Sequence, residues 1–328
     1  MIKRKLGKSG LMVSEIGLGC WQLGGDFGPM SNECAHGILQ AADQADIDFW
    51  DTADVYGGGM SESRIEQYLS QARRRGHVTV ATKVGRAPGL YPGHYSKEKV
   101  RAHIAGSALR LGVDRVDLVQ LHCVPPEVLE DGAILAWMED FRKEGLIRAF
   151  GASVQTLDEA LTVVSHPGLT SLQIIFNIFR QNAISRLFPA AEANDVGIVV
   201  RLPLASGVLS GRMSKDQSFA ESDHRHYNRH GEAFSQGETF SGLPFEMAVD
   251  LVEEIRGWAP PGISMAQMAM RWILDYPAVS TVITGASRPE QVAENARVSE
   301  LAPLSTELHD KLADFYRRKV EEFIVVPI

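Results

Sequence analysis

The sequence predicts a single (β/α)8 barrel, the TIM-barrel class of α/β fold, spanning residues 1–328 as one domain. Three observations carry this. Eight short apolar runs alternate with amphipathic helical stretches along the chain. The runs are Val/Ile-rich without strict alternation, as in parallel strands buried on both faces. No shift in composition divides the 328 residues, and 45% of them are apolar, enough for one large core.

The predicted strands cover 16–23, 48–53, 78–84, 116–122, 147–153, 171–177, 197–203 and 280–286. Between them, residues 96–111 place Val100, Ile104, Ala108 and Leu111 on one helical face, with Ser96 as N-cap and Gly112 just past the end. Thr156 and Glu159 have the spacing of a capping box. Residues 264–275 carry Met265, Met268, Ala269, Trp272 and Ile273 on one side, the pattern of core packing. Three segments exceed eight βα units. Residues 1–15, with Gly7 and Gly10 at turn positions, predict a hairpin closing the bottom of the barrel. Residues 205–243 form a long loop after the seventh strand, followed by an extra helix over 244–258. Residues 305–322 predict a C-terminal helix outside the barrel.

Bulk properties exclude several roles. The net charge of −8 argues against nucleic-acid binding and against a basic membrane-surface protein. Arg201 interrupts the most apolar stretch, so no membrane span is expected, and no signal peptide is read at the N-terminus. The chain is therefore expected in the cytoplasm. Cys20, Cys34 and Cys123 match neither a zinc spacing nor a disulfide framework. In 223–232, Arg225 and Arg229 interleave His224, His226 and His230; their charge opposes a metal, so no metal is expected there.

Polar residues end three successive strand-like runs: Asp51, with Tyr56 in the following loop, then Lys83, then His122. Each would be costly to bury without a partner. Catalytic groups of a parallel barrel stand at the C-terminal ends of its strands. Asp51 and Lys83, on neighbouring strands, would pair. The ammonium would lower the pKa of Tyr56, making a phenol able to donate a proton near neutral pH. His122 would hydrogen-bond a carbonyl oxygen or relay the proton. Trp21, after the first strand, either lines the pocket or packs the barrel.

The segments FWDTADVYGGGMSE, ATKVG, VDLVQLHCV, IRAFGAS, LQIIFNIF, RLPLASGVLSGR and VITGASRPEQVAEN, in this order and spacing, resemble the aldo-keto reductase superfamily over nearly the whole chain. The bacterial branches nearest in pattern are those similar to potassium-channel β subunits and to sugar and pyridoxal reductases. The resemblance implies an NADP-dependent oxidoreductase that reduces an aldehyde or ketone to an alcohol. Asp51, Tyr56, Lys83 and His122 match its catalytic tetrad, with Tyr56 as general acid. It further implies cofactor contacts at Cys20, Trp21 and Asp51, a carboxamide site at Ser153 and Gln173, and a nicotinamide platform at Phe176. Pro203, Leu204, Ala205, Ser206, Gly207, Leu209, Gly211 and Arg212 match the loop that wraps the pyrophosphate. Gly285, Ser287, Arg288, Gln291, Glu294 and Asn295 match the adenine and 2′-phosphate end, which favours NADPH over NADH. Trp21, Tyr56 and His122 would meet a small carbonyl or sugar substrate.

Three departures stand out: Val154 where the family often has Asn, Phe176 where it often has Tyr, and Arg201-Leu202-Pro203-Leu204 where Ser-Pro-Leu is common. The resemblance leaves two other readings open, an NAD(P)+-dependent aldose dehydrogenase and a cofactor-binding regulatory subunit. It also leaves open whether the chain forms a homo-oligomer.

Overall fold

The structure is a computed structural model in which residues 1–25 and 28–327 are described. Strands β1 (Lys3–Lys5) and β2 (Met12–Ser14) form an antiparallel hairpin. Its turn runs through Gly7–Ser9 and the left-handed Gly10. Eight parallel strands then close a barrel. They are β3 (Ile16–Gly19), β4 (Phe49–Asp51), β5 (Thr79–Val84), β6 (Val116–His122), β7 (Ile147–Ser153), β8 (Leu169–Ile175), β9 (Gly197–Arg201) and β10 (Val279–Gly285). Neighbours follow chain order, and β10 pairs with β3 to close the ring. The hairpin and barrel expected from the sequence are both present.

Helices cover the barrel from outside: α1 (Asn32–Gln44), α2 (Met60–Gln71), α3 (Lys97–Leu111), α4 (Pro126–Asp131), α5 (Ala133–Lys143), α6 (Leu157–Val163) and α7 (Ala183–Ala193). After β9 come α8 (His224–Tyr227), α9 (Phe245–Ile255) and α10 (Met265–Leu274), and after β10 come α11 (Pro289–Ala296) and α12 (Thr306–Phe315). Local chemistry sets the ends. Ser96 Oγ accepts from Lys99 N at 3.3 Å, and Gly112 leaves α3 at φ 63°. At α6, Thr156 accepts from Glu159 N, but the Glu159 carboxylate accepts from Gln155 N, one residue before the expected partner. Ser264 and Gln267 form a reciprocal capping box on α10.

Several boundaries differ from expectation. The first barrel strand stops at Gly19, and Trp21–Gly24 form a 3-10 turn. The sixth begins at Leu169 and ends at Ile175. The C-terminal helix changes to a π-turn over Tyr316–Val320. The long segment 205–243 carries short helical turns at Ala205–Ser210, His224–Tyr227, Gln236–Glu238 and Phe240–Gly242. Asp26 and Phe27, after the first barrel strand, lie outside the described residues.

Alternation along the strands sorts residues between two cores. Trp50, Val80, Val119, Phe150, Leu172, Val200 and Val282 point outward into the large cluster beneath the helices. Phe49, Ala81, Leu118, Ala149, Val199 and Ile283 point inward and pack with Leu6, Leu11 and Val13 of the hairpin. The barrel interior is thus a packed apolar plug at its lower end. Two or four residues further along each strand, the same inward face holds Asp51, Lys83, Gln120, His122, Ser153 and Arg201.

Candidate active site

The upper end of the barrel opens into a cavity of about 430 Å³. Asp51, Tyr56 and His122 line it at one end, and Ser287 and Gln291, around the start of α11, at the other.

Lys83 stands at its base, 1% exposed. Its Nζ donates to Asp51 Oδ2 at 2.5 Å, to Thr52 O at 2.9 Å and to Tyr56 Oη at 3.1 Å. All three donors of the ammonium are therefore placed. Asp51 is held on its other side: Oδ1 accepts from Gln120 Nε2 at 3.1 Å and from Gln173 Nε2 at 2.7 Å. A buried ion pair contributes little net stability after desolvation, so its retention points to function. Burial works against the Lys83 charge, but Asp51 and Tyr56 outweigh it and hold its pKa above the usual lysine value.

Tyr56 reaches this group because the chain turns sharply after β4. Gly57, Gly58 and Gly59 all have positive φ, at 58°, 63° and 95°. A Cβ on Gly57 would also collide with the Gly24 carbonyl oxygen. Only glycine fits both constraints. The phenol does not behave as expected from the sequence. Burial pushes its pKa up to about 12, and the neighbouring Lys83 only partly opposes this. Tyr56 is therefore protonated throughout the physiological range, rather than a phenol acidified towards neutrality.

His122 stands across the cavity, its ring edge-on to Tyr56 at 5.9 Å between centroids. Burial lowers its pKa well below the usual value, and Arg86, Lys83 and Arg201 lower it further. The imidazole is neutral, and Nδ1 has no partner among the described residues. Trp21 stacks on Tyr56 at 5.9 Å and meets His224 at 4.8 Å and Phe234 at 6.0 Å. Segment 205–243 thereby folds over the Tyr56 side of the opening.

The expected cofactor positions divide. Ser153 and Gln173 are paired across β7 and β8, and Ser153 Oγ donates to Gln173 Oε1 at 3.2 Å. Both line the cavity, as does Trp21. So do Pro203, Leu204, Ser206, Gly207 and Arg212 along the loop after β9, and Gly285, Ser287 and Gln291 around the start of α11. Gln22 lies so close over Gly285 that a side chain there would collide with its amide. Ser287 N and Oγ both donate to Gln291 Oε1, at 2.8 and 3.1 Å. Arg288 is the N-cap of α11, and Glu294 and Asn295 lie further along it, beyond the cavity lining. The Cys20, Ala205 and Leu209 side chains are fully buried behind the wall, and Gly211 lies outside the lining.

Phe176 is the clear correction. It lies three residues after the inward-facing Gln173, and an odd step reverses the direction of a side chain on a strand. Its ring is buried outside the barrel against Phe188, Trp272 and Tyr276, at 4.9, 4.9 and 5.3 Å. It does not reach the cavity. Arg201, two residues beyond the inward-facing Val199, lines the wall instead.

Other residues were not singled out from the sequence as site residues. Glu238 is buried between two guanidinium groups: Oε1 accepts from Arg86 at 2.7 Å, and Oε2 lies 3.2 Å from Arg201 Nη1. Gln155 also donates to Glu238. Burial opposes the Glu238 charge, but Arg86 and Arg201 overcome this and bring its pKa down to about 2. Gln120 and Arg201 had a readable signal, a polar residue within an apolar run. Glu238 had none, because a loop delivers it.

Comparison with known proteins agrees with this architecture. The Aldo/keto reductase family model matches residues 15–317. An uncharacterized oxidoreductase, YqkF, of Bacillus subtilis (strain 168) is 32% identical over 94% of both chains. A probable voltage-gated potassium channel subunit beta of Oryza sativa subsp. japonica is 31% identical, again over 94% of each. The holo form of the aldo-keto reductase AKR11C1 from Bacillus halodurans superposes with a TM-score of 0.76 at 26% identity, covering 96% of both chains. A closed eight-stranded barrel with a Lys–Asp–Tyr–His cluster at its upper rim, matched by the family model along nearly its full length, assigns this chain to the aldo/keto reductase family.

Proposed function

We propose that this chain reduces an aldehyde or ketone to an alcohol, with NADPH as hydride donor and Tyr56 as proton donor. The observation that carries the reading is the position of Lys83 Nζ, bonded to both Asp51 and Tyr56 Oη beneath an open cavity. The cavity's chemistry fits a nicotinamide dinucleotide. The Ser153–Gln173 pair suits a carboxamide, and the loop at Leu204–Gly207 suits the pyrophosphate. The start of α11, with Ser287 and the cation of Arg288, suits a 2′-phosphate. Arg288 supports NADPH over NADH.

When bound, the reduced cofactor supplies the hydride. The remaining work belongs to the protein. Tyr56 Oη donates its proton to the carbonyl oxygen as negative charge develops there. Lys83 stabilises the phenolate left behind, and Asp51, braced by Gln120 and Gln173, keeps that ammonium in place. Neutral His122 offers a hydrogen bond to the same oxygen and adds no charge of its own. Trp21 and segment 205–243 exclude water from one side.

The test is a spectrophotometric screen of aldehydes, ketones and aldoses with NADPH and NADH, run in both directions. Oxidation of NADPH by a carbonyl compound, faster than that of NADH, is the expected result. Nucleotide binding without turnover of any class would favour a regulatory subunit and defeat the reading.

A further inference from the structure

We propose that Arg201 biases the cofactor site towards the reduced nicotinamide, and that Glu238 limits the size of that bias. This rests on the reading of the site as one for a nicotinamide cofactor.

The position is set by strand parity. Val199 faces the barrel interior, so Arg201 does too, one step above it on β9. Ser153 and Gln173 stand on β7 and β8, and β8 is hydrogen-bonded to β9. The wall beside the carboxamide pair is therefore made by a guanidinium, and the aromatic Phe176 is turned away from it. Arg201 is 8% exposed. Its Nη2 donates to Val154 O at 3.0 Å, and its Nη1 pairs with Glu238. Nε has no partner among the described residues.

The charges at this wall do not balance. Asp51 and Lys83 neutralise each other. Glu238 is a single carboxylate shared by Arg86 and Arg201, and His122 is neutral. At least one positive charge is left over next to Ser153 and Gln173, and the buried Arg180 adds to it from beside Arg201. A reduced nicotinamide ring is neutral. On giving up a hydride, with its two electrons, it becomes a cation. A neighbouring cation disfavours the charged form, by the same physics that shifts a pKa. The surplus charge thus weakens the oxidised cofactor relative to the reduced one and favours carbonyl reduction.

Dissociation constants provide the test: nicotinamide fluorescence for NADPH, and competition against it for NADP+. The wild type is expected to bind NADPH more tightly. Arg201→Gln should narrow the NADP+ to NADPH ratio of constants by roughly threefold to tenfold, as loss of a nearby unit charge implies. Arg201→Lys, which keeps the charge, should hold the ratio near the wild-type value. Glu238→Gln should widen it. Opposite shifts from the two charge removals are not produced by a merely structural role, and the Arg201 pair decides the matter even if Glu238→Gln fails to fold. An unchanged ratio in Arg201→Gln, with wild-type binding intact, overturns the inference alone. A wild type that binds neither nucleotide overturns the underlying reading as well.

Discussion

The two ends of the barrel are built from the same strands and the same inward-facing positions, yet they do opposite things. At the lower end Phe49, Ala81, Leu118, Ala149 and Val199 pack against Leu6, Leu11 and Val13 of the hairpin. At the upper end Asp51, His122, Ser153 and Arg201, at higher inward positions, line a cavity with Lys83 at its base. The separation is only two to four residues along each strand, roughly 7–13 Å. The lower layer excludes water and stabilises the fold. It also gives the upper layer a rigid floor of low polarisability, on which one ammonium can be directed at a phenol and a carboxylate. The same burial that makes the floor raises the pKa of Tyr56 and lowers that of His122.

Four substitutions or conditions test this division. The largest effect is expected from Tyr56→Phe, which removes the proposed proton donor but keeps the ring beside Trp21. Turnover should fall by roughly 10²–10⁴-fold, with cofactor affinity and melting temperature near wild type. Retained turnover would remove Tyr56 from its role.

Phe49→Ala, on the strand that leads to Tyr56 and two residues before Asp51, should do the reverse. Emptying a fully buried aromatic site costs about 3–5 kcal/mol of stability, measured by urea unfolding. Turnover well below the melting temperature should survive, and a turnover loss as large as that of Tyr56→Phe would show that the two layers are not separable.

A smaller effect concerns the loop that closes the upper end. Glu238 has a folded pKa of about 2, below the roughly 4.3 of an unfolded glutamate. Its contribution is complete above the unfolded value and is lost as pH falls through the folded one, on the order of 2–3 kcal/mol. Unfolding midpoints measured from pH 5 down to pH 2 should therefore fall, and less steeply in Glu238→Gln. Identical slopes would mean that the carboxylate does not anchor the loop.

The smallest expected effect is in the activity profile. Tyr56 stays protonated, with a pKa near 12, and His122 stays neutral. Turnover should be level from about pH 7 to pH 9, and a titration in that range by stopped-flow kinetics would require a group acidified in the way the sequence alone suggested.

Much of the site was readable because parallel strands display their chemistry at fixed places. Asp51, Lys83 and His122 each end an apolar run, and their convergence follows once the runs are taken as neighbouring strands. The facing of Phe176 is hidden in the sequence, because a single-residue step inverts a strand residue and the segment LQIIFNIF is apolar on both sides of that step. Arg201 is visible as a charge in an apolar run, where it reads as an interruption. Glu238 and Arg86 could not be read at all: they are separated by 152 residues and meet only because segment 205–243 folds back over the rim.

The sequence by itself determined the barrel, its hairpin plug and the chemical identity of the four polar residues Asp51, Tyr56, Lys83 and His122. Strand periodicity, caps and the order of βα units are local properties, written within a few residues of one another. Only the tertiary structure decided the protonation of Tyr56 and His122, the facing of Phe176 and Arg201, and the uneven pairing of two guanidinium groups with Glu238. Those depend on burial and on charges brought together from distant parts of the chain, and neither is expressed in any one segment.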